Sequence, residues 1–361
     1  MTVTFGVVLG WGLLGCPHTG APAVFETRVV DAEVRGVLEA AASSLDPLER
    51  REALPVLIRL EAAPAGGTWG ARGRYDPSYF VRRAVIPALG HRAEAEADTL
   101  LEGLARETSL EPYTRGLAAL ELSFRDAARW RAPLAELAAA TAADPELLLL
   151  AAAHAGDAAA LARLGERLAT GELPMDLSLP RALIRCRLPL QSSLAAAVEA
   201  VEPPMAPSLA AAWWVADPVA ARPWFVAALA DPDEDLSIEA AEWLVELGAA
   251  SPGPAASPVA RALLDLADAD TAEAIRAAES PDGDIRLAAT RALGRLVQAE
   301  GRGGAARRSL EDLASSGALP VRLAAIHQLG RVGGSEAVLR TLLRDEQPRL
   351  QVAAAVAWVG R

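Results

Sequence analysis

The chain lacks lysine altogether: all 35 of its basic residues are arginine. This reads as a GC-rich coding habit, a compositional bias that carries no chemistry of its own. Cysteine is nearly absent, with only Cys16 and Cys186, which excludes the disulfide framework of a small secreted domain. Cys186 sits in the apolar helical phrase "RALIRCRL", the setting of a buried, inert thiol. Aromatics make up 4% of the sequence. Strand-type alternation is scarce after the first residues, so a sheet-built core is not expected. The four histidines, His18, His91, His154 and His327, are not paired with one another, with cysteine or with carboxylates at metal-ligand spacing, and metal catalysis is not expected. No G-x-S-x-G, S-x-x-K or Walker-type loop is present. The glycines of "EGRGGAARR" at 300–308 follow a helix instead of a strand and read as a surface turn. No catalytic residue and no cofactor are assigned.

What the chain does have is alanine, leucine and a negative balance. It is 52% hydrophobic with a formal charge of −12 over 361 residues. Ala and Leu lose little entropy in a helix. A polyanion would be repelled by the averaged field, so nucleic acid is not an expected partner.

One phrase returns along the chain: "DIRLAATRALGRL" at 284–296, "VRLAAIHQLGRV" at 321, "VRRAVIPALGH" at 81 and "LQVAAAVAWVG" at 350. In the first, Ile285, Ala288, Ala289, Ala292, Leu293 and Leu296 fall on one helical face. Asp or Ser with Pro precedes many such helices, as in "DPLE" at 46 and "DPDED" at 231, where the side chain caps the first turn. Gly90, Gly156, Gly248, Gly294 and Gly330 stand where a left-handed C-terminal stop is expected. The starts recur about every 30 residues, the length of a helical hairpin, and a period of that size predicts a helical solenoid. A single hairpin cannot bury its apolar side, but a stack of hairpins can. The expectation is therefore an all-α, right-handed α-solenoid of about ten stacked helical hairpins. A block at 31–250, carrying a loop insertion at 63–80, is followed by a second block at 251–361 after the linker "GAASPGPAASPVA".

The pattern D/E-x-x-V/I-R-x-x-A-A-x-A-L-G at 76–90, 284–294 and 321–330 resembles HEAT repeats of the short, phycobilisome-lyase-like type. The resemblance spans roughly 30 to 361 and is degenerate between about 130 and 230. It implies a scaffold that hosts many functions. It lacks the His-Glu dipeptides that the di-iron hydroxylases built on this scaffold would require.

Residues 1–16, "MTVTFGVVLGWGLLGC", read as a signal segment, too short to span a bilayer as a mature helix. Leu13-Leu14-Gly15-Cys16 resembles the bacterial lipobox, although no Lys or Arg precedes it. The resemblance implies lipid attachment at Cys16, a tether over 17–30, and a periplasm-facing lipoprotein of the cell envelope. A cytoplasmic protein is the alternative.

Site candidates follow from the repeat. Arg83, Arg115, Arg181, Arg286 and Arg322, with Asp76 and Asp284 among the acids near them (Glu111 and Asp176 are others), are expected to form a structural ladder between layers. A row of anion-binding arginines is the alternative. Trp69, Arg72, Arg74 and Tyr75 in the 63–80 segment, the adjacent Trp213 and Trp214, and Trp358 in the last helix are candidate binding residues, because Trp, Tyr and Arg dominate binding hot spots. The final helix has nothing after it to cover Val352, Val356, Trp358 and Val359, so self-association through the C-terminal repeat is expected. The function these features imply is a non-enzymatic interaction scaffold that binds a protein or peptide on the concave face. The alternatives are a phycobilin-lyase-like accessory acting on a tetrapyrrole and its acceptor protein, and, less favoured by the acidic balance, a HEAT-like DNA glycosylase.

Overall fold

The computed structural model describes residues 31–61, 67–92, 94–140, 146–171, 178–201, 205–267, 269–300 and 304–360. Cys16 and the signal and tether segments lie outside the described residues. Among those described, the fold is all-helical, with 21 helices and no strand. It is an α-solenoid in which two layers alternate along the chain. The inner helices are α2 (Pro47–Leu60), α4 (Tyr79–Gly90), α6 (Pro112–Arg125), α8 (Glu146–His154), α10 (Ser178–Cys186), α12 (Ala206–Ala216), α14 (Glu234–Glu246), α17 (Gly283–Glu300), α19 (Leu319–Val332) and α21 (Pro348–Val359). The outer helices are α1 (Ala32–Ala42), α3 (Gly67–Arg74), α5 (Ala95–Arg106), α7 (Ala127–Ala140), α9 (Ala158–Ala169), α11 (Gln191–Ala200), α13 (Pro218–Leu229), α16 (Thr271–Ala278), α18 (Ala305–Ser316) and α20 (Glu336–Leu342). One further helix, α15 (Pro258–Asp265), stands between the hairpins α13–α14 and α16–α17.

The start signals at 46 and 231 act as caps, and Asp157 and Asp270 add two that no Asp-Pro phrase marks. Asp46 accepts from the Leu48 N–H, Asp157 from Ala159, and Asp233 from Asp235 and Leu236. Asp270 and Glu273 form a reciprocal capping box. Each satisfies backbone donors that a helix start leaves free. Two inner helices are buried on every side over most of their length: Thr114 to Ser123 of α6 and Leu147 to Ala153 of α8 are covered without interruption. Outer helices keep one wet face; in α9 only Ala160, Leu164, Gly165 and Leu168 are buried. One continuous apolar core runs from Val34 to Ala357 and crosses the linker near residue 250.

Two expectations change. The 63–80 segment is no plain loop, since it contains α3, which packs on α2 and α4 and completes a hairpin of the array. The C-terminal helix is not uncovered either. Helix α21 packs on α1 and α2, so the last hairpin meets the first and the solenoid closes on itself. Arg340 with Asp31 (3.6 Å) and Arg344 with Glu33 (2.8 Å) cross the same seam. Val352 is buried, and Val356, Trp358 and Val359 are half-buried. The molecule is thus a ring with an interior instead of an open rod.

The glycines of the repeat phrase also do a different job. Gly156 and Gly248 take positive φ at helix ends, as a C-terminal stop requires. Gly294 and Gly330 lie inside α17 and α19, and Gly90 is still helical. A Cβ on Gly330 would come within 2.7 Å of the Ala357 Cα in α21, and one on Gly294 would strike Gln328 of α19. These glycines let neighbouring inner helices approach closely.

Candidate functional site in the ring interior

The arginines of the repeat fall into two classes, separated by a single residue. The first class binds layer to layer. Arg50 in α2 forks onto Asp76 with Nε–Oδ2 at 2.7 Å and Nη2–Oδ1 at 2.9 Å, both groups buried. Arg82 in α4 reaches Glu111, the N-cap of α6, in the same direction. Arg322 in α19 pairs with Asp345 at 2.5 Å, just before α21. A planar fork on a carboxylate fixes spacing and rotation together. A second set runs backward. Arg92 donates to the Ile58 and Glu61 carbonyls, and Arg125 to those of Gly90 and Glu94. Each satisfies the orphan carbonyls where the preceding inner helix ends.

The ladder therefore uses Arg50, Arg82 and Arg322. Asp76 is held by Arg50 and not by Arg83. Arg115 donates to the Ala105 carbonyl, and Arg286 turns back to the carbonyls of Ser280 and Pro281. Asp284 acts electrostatically on Glu242 and Arg291.

The second class sits one residue on. Arg51 follows Arg50, and Arg83 follows Arg82. One residue is about 100° of helical rotation, so the next side chain leaves the layer contact. Arg51 and Arg181 influence each other electrostatically, and both feel Arg83. Three inner helices (α4, α6 and α8) separate α2 from α10 around the ring. The charge of Arg181 nevertheless acts on Arg51. Burial first, with Arg83 after it, holds both guanidiniums below their ordinary pKa, while Glu52 acts on Arg51 and Glu246 on Arg181 in the opposite direction. Neither makes a hydrogen bond or ion pair among the described residues, and the Nε of Arg181 is buried without a partner. The Trp243 ring of α14 lies 5.9 Å from it, and Glu246 acts on it electrostatically.

Beside Arg181 runs an acidic stripe on α14: Glu239, Glu242 and Glu246, spaced three and four apart and so on one face. Burial pushes all three carboxyls up, Glu239 to about 7. Arg291 of α17 lies 3.8 Å from Glu242, and Arg181 and Arg291 both draw on Glu246. A narrow cleft between α14 and α17 is lined by Glu242, Val245, Leu263, Ala288, Arg291 and Arg295 among others. Elsewhere on the inner wall Arg185 of α10 reaches Glu121 of α6 at 2.7 Å and stacks 3.7 Å from the Phe124 ring. His154 packs on Phe124 and meets the Ser123 hydroxyl at 3.1 Å. Burial, then Arg185, depresses its pKa. Cys186 is buried, which pushes its thiol well above the usual range.

The other candidates are scattered. Trp69 is partly buried against the core. Arg72 donates to Ser43, and Arg74 lies 4.9 Å over Tyr75, which is 55% exposed. Trp213 and Trp214 are half-buried, with Trp214 edge-on to Phe225 at 5.3 Å. Trp358 stacks under Arg340 at 5.2 Å, on the closing seam. The structure brings none of these to the arginine pair. Among the described residues no group of three or more His, Cys, Asp or Glu could hold a metal, and no helix is long and apolar enough to cross a membrane.

Comparison with known proteins adds little. No family profile and no curated protein matches the chain. A solved engineered protein from a structural genomics consortium aligns over 91% of this chain and 78% of its own at 18% identity. Its TM-score of 0.24 carries no argument.

Proposed function

We propose that the chain is a non-enzymatic binding module of HEAT-like repeats, and that its ring interior receives a segment of a partner protein or peptide. The observation that carries this reading is the desolvated charge on the inner wall. Arg51 and Arg181 form no ion pair among the described residues, and burial raises the carboxyls of the Glu239, Glu242 and Glu246 stripe on α14, which runs beside Arg181. A folded chain loses stability by holding desolvated charge without partners, and a bound segment that supplies them recovers it. An inner wall built from every hairpin suits an extended ligand better than a compact one.

Display of a random peptide library against the full chain tests the reading. Enrichment of sequences that no longer bind when Arg181→Gln or Glu246→Gln is introduced supports it. No enrichment above background, or binding indifferent to both substitutions, contradicts it.

The Leu13-Leu14-Gly15-Cys16 motif supports a second element of the proposal: acylation at Cys16 and tethering of the ring to a bacterial envelope. Mass spectrometry of the mature N-terminus decides it. An acylated Cys16 agrees, and an intact Met1 contradicts.

A further inference from the structure

The cluster around Phe124 presents one acceptor and one donor that the fold itself does not use, and this inference deepens the binding-module reading on which it rests. The Ser123 hydroxyl has a single proton, and it goes to the Leu120 carbonyl at 2.7 Å. Toward His154 the same oxygen can only accept, so His154 Nδ1, 3.1 Å away, carries the ring proton. Burial, then the charge of Arg185, disfavours a second proton on that ring. Nε2 is therefore a bare acceptor. It meets no partner among the described residues and is not sealed from solvent. Arg185 supplies the donor. Its guanidinium reaches from α10 past α8 to α6, where the buried Glu121 accepts from Nη1 at 2.7 Å and from Nη2 at 3.5 Å. A guanidinium has five N–H groups. The others of Arg185 have no acceptor among the described residues, and its side chain stays 34% exposed. Phe124 holds the two groups together, with the guanidinium 3.7 Å and the imidazole 4.6 Å from its ring centre. The carboxylate and the phenyl face fix Arg185, and Ser123 and the same ring fix His154, so neither has to be ordered by a ligand.

We propose that His154 and Arg185 form an amide-binding site on the inner wall, in which His154 Nε2 accepts the amide N–H and Arg185 donates to the amide carbonyl. With a hydrogen bond of about 2.9 Å on each side, an amide bridges about 8 Å. Two groups that lie against one phenyl ring stand within that reach. Other groups of a polypeptide match less well. A carboxylate satisfies Arg185 but turns a lone pair toward the bare nitrogen, and an ammonium satisfies His154 but repels the guanidinium. A hydroxyl offers both roles from one atom and bridges a shorter gap. The peptide backbone and the side chains of Asn and Gln both carry the required group.

Side-chain nitrogen NMR of the full chain labelled at histidine tests the site, with the His154 signals assigned by their loss in His154→Gln. The probes are N-methylacetamide, which carries the backbone amide, acetamide, which carries that of Asn and Gln, and acetate as the control. In the free chain His154 should be protonated on Nδ1 alone. A saturable shift of its Nε2 with at least one amide is expected. The shift should need at least fivefold more amide in the double variant Glu121→Gln with Arg185→Gln, which replaces the ion pair by a neutral hydrogen bond. It should be unchanged by Arg35→Gln on outer helix α1, where Arg35 pairs with Glu39. A response to N-methylacetamide alone, to acetamide alone or to both identifies the source of the amide and upholds the site. No saturable shift with either amide overturns it, as does an equal shift with acetate or an unweakened one in the double variant. Should that variant fail to fold, the unaltered chain decides by the probe titrations and by its tautomer, since a proton on Nε2 at neutral pH leaves no bare acceptor and sinks the site. Peptide capture that leaves the His154 signals unmoved would sink this site and leave the binding module standing. An amide shift without any peptide capture would do the reverse.

Discussion

The ring has two junctions that its repeat does not make in the ordinary way, and they solve the problem differently. At the closing seam α21 lies directly on α1 and α2. Its consecutive alanines, Ala353 to Ala355, are fully buried, so small faces meet there. The ion pairs of that seam, Arg340–Asp31 and Arg344–Glu33, are at the wet outer edge. At the joint between α14 and α17 the inner helices are spaced by α15, which packs on both. The gap is filled by Glu242, Arg291 and Arg295 together with Val245 and Leu263. Where helices of this ring can touch through alanine and glycine, the interface is dry. Where a spacer holds them apart, carboxylates and guanidiniums occupy the room. The acidic half of the interior originates at that joint.

Four changes break or sharpen this comparison. Gly330→Leu beside the seam meets the backbone of Ala357, which cannot swing away. A loss of about 3 kcal/mol in denaturant unfolding is expected, since overpacking against a fixed neighbour is the costly kind. Gly294→Ala nearer the joint meets only the Gln328 side chain. That chain can rotate, and a loss of about 1 kcal/mol is expected from the same measurement.

Glu239→Gln tests the joint by pH. Its folded carboxyl is raised from the ordinary 4.5 to about 7 by burial, then by Glu242. Between those two values the folded state holds a proton that the unfolded chain releases, so this residue makes stability fall as pH rises from about 5 to 7. The glutamine variant should lose that slope and gain about 1 kcal/mol at pH 8, a figure discounted for partial exposure. A stability profile identical to that of the native chain would contradict the assigned environment. Asp76 and Asp345 act in the other direction. Burial raises each carboxyl, but the hydrogen bonds and charges of Arg50 and Arg322 bring both to a net lowered pKa, so their contribution is lost on acidification below the ordinary carboxylate range. Arg344→Ala at the outer seam should leave the unfolding midpoint unchanged within error, because exposed pairs contribute little. A clear drop would mean that the seam depends on its charges and not on its alanines.

The hairpin rhythm, the caps and the all-helical fold were legible because they depend on local pattern: periodic Ala and Leu, Asp before Pro, and a step of about 30 residues. Closure was not legible. It depends on curvature summed over every layer, and no single phrase encodes that sum. The C-terminal helix therefore reads as uncovered in sequence and is covered in the fold. The glycine of "ALG" was misassigned for a related reason. A helix stop and a close helix crossing both ask for glycine, and only the next helix tells them apart. The interior site left a faint trace in the doublets Arg50-Arg51 and Arg82-Arg83. Two adjacent arginines on an inner helix cannot both serve the neighbouring layer, so one of each pair had to face elsewhere. The E-x-x-E-x-x-x-E spacing of Glu239, Glu242 and Glu246 was likewise readable as a polar stripe on a helix that otherwise carries Leu236, Ile238, Ala240, Ala241, Trp243, Leu244 and Val245. Their convergence with Arg181 and Arg291 comes from the ring alone.

Spin labels placed at Glu33→Cys and Arg344→Cys, with Cys16 and Cys186 replaced by serine, would report the separation of the first and last hairpins by pulsed electron resonance. The ring predicts one narrow population at short distance, because Glu33 and Arg344 are ion-paired across the seam. A broad distribution at distances comparable to the length of the molecule would describe an open solenoid and would contradict the closed interior on which the binding site depends.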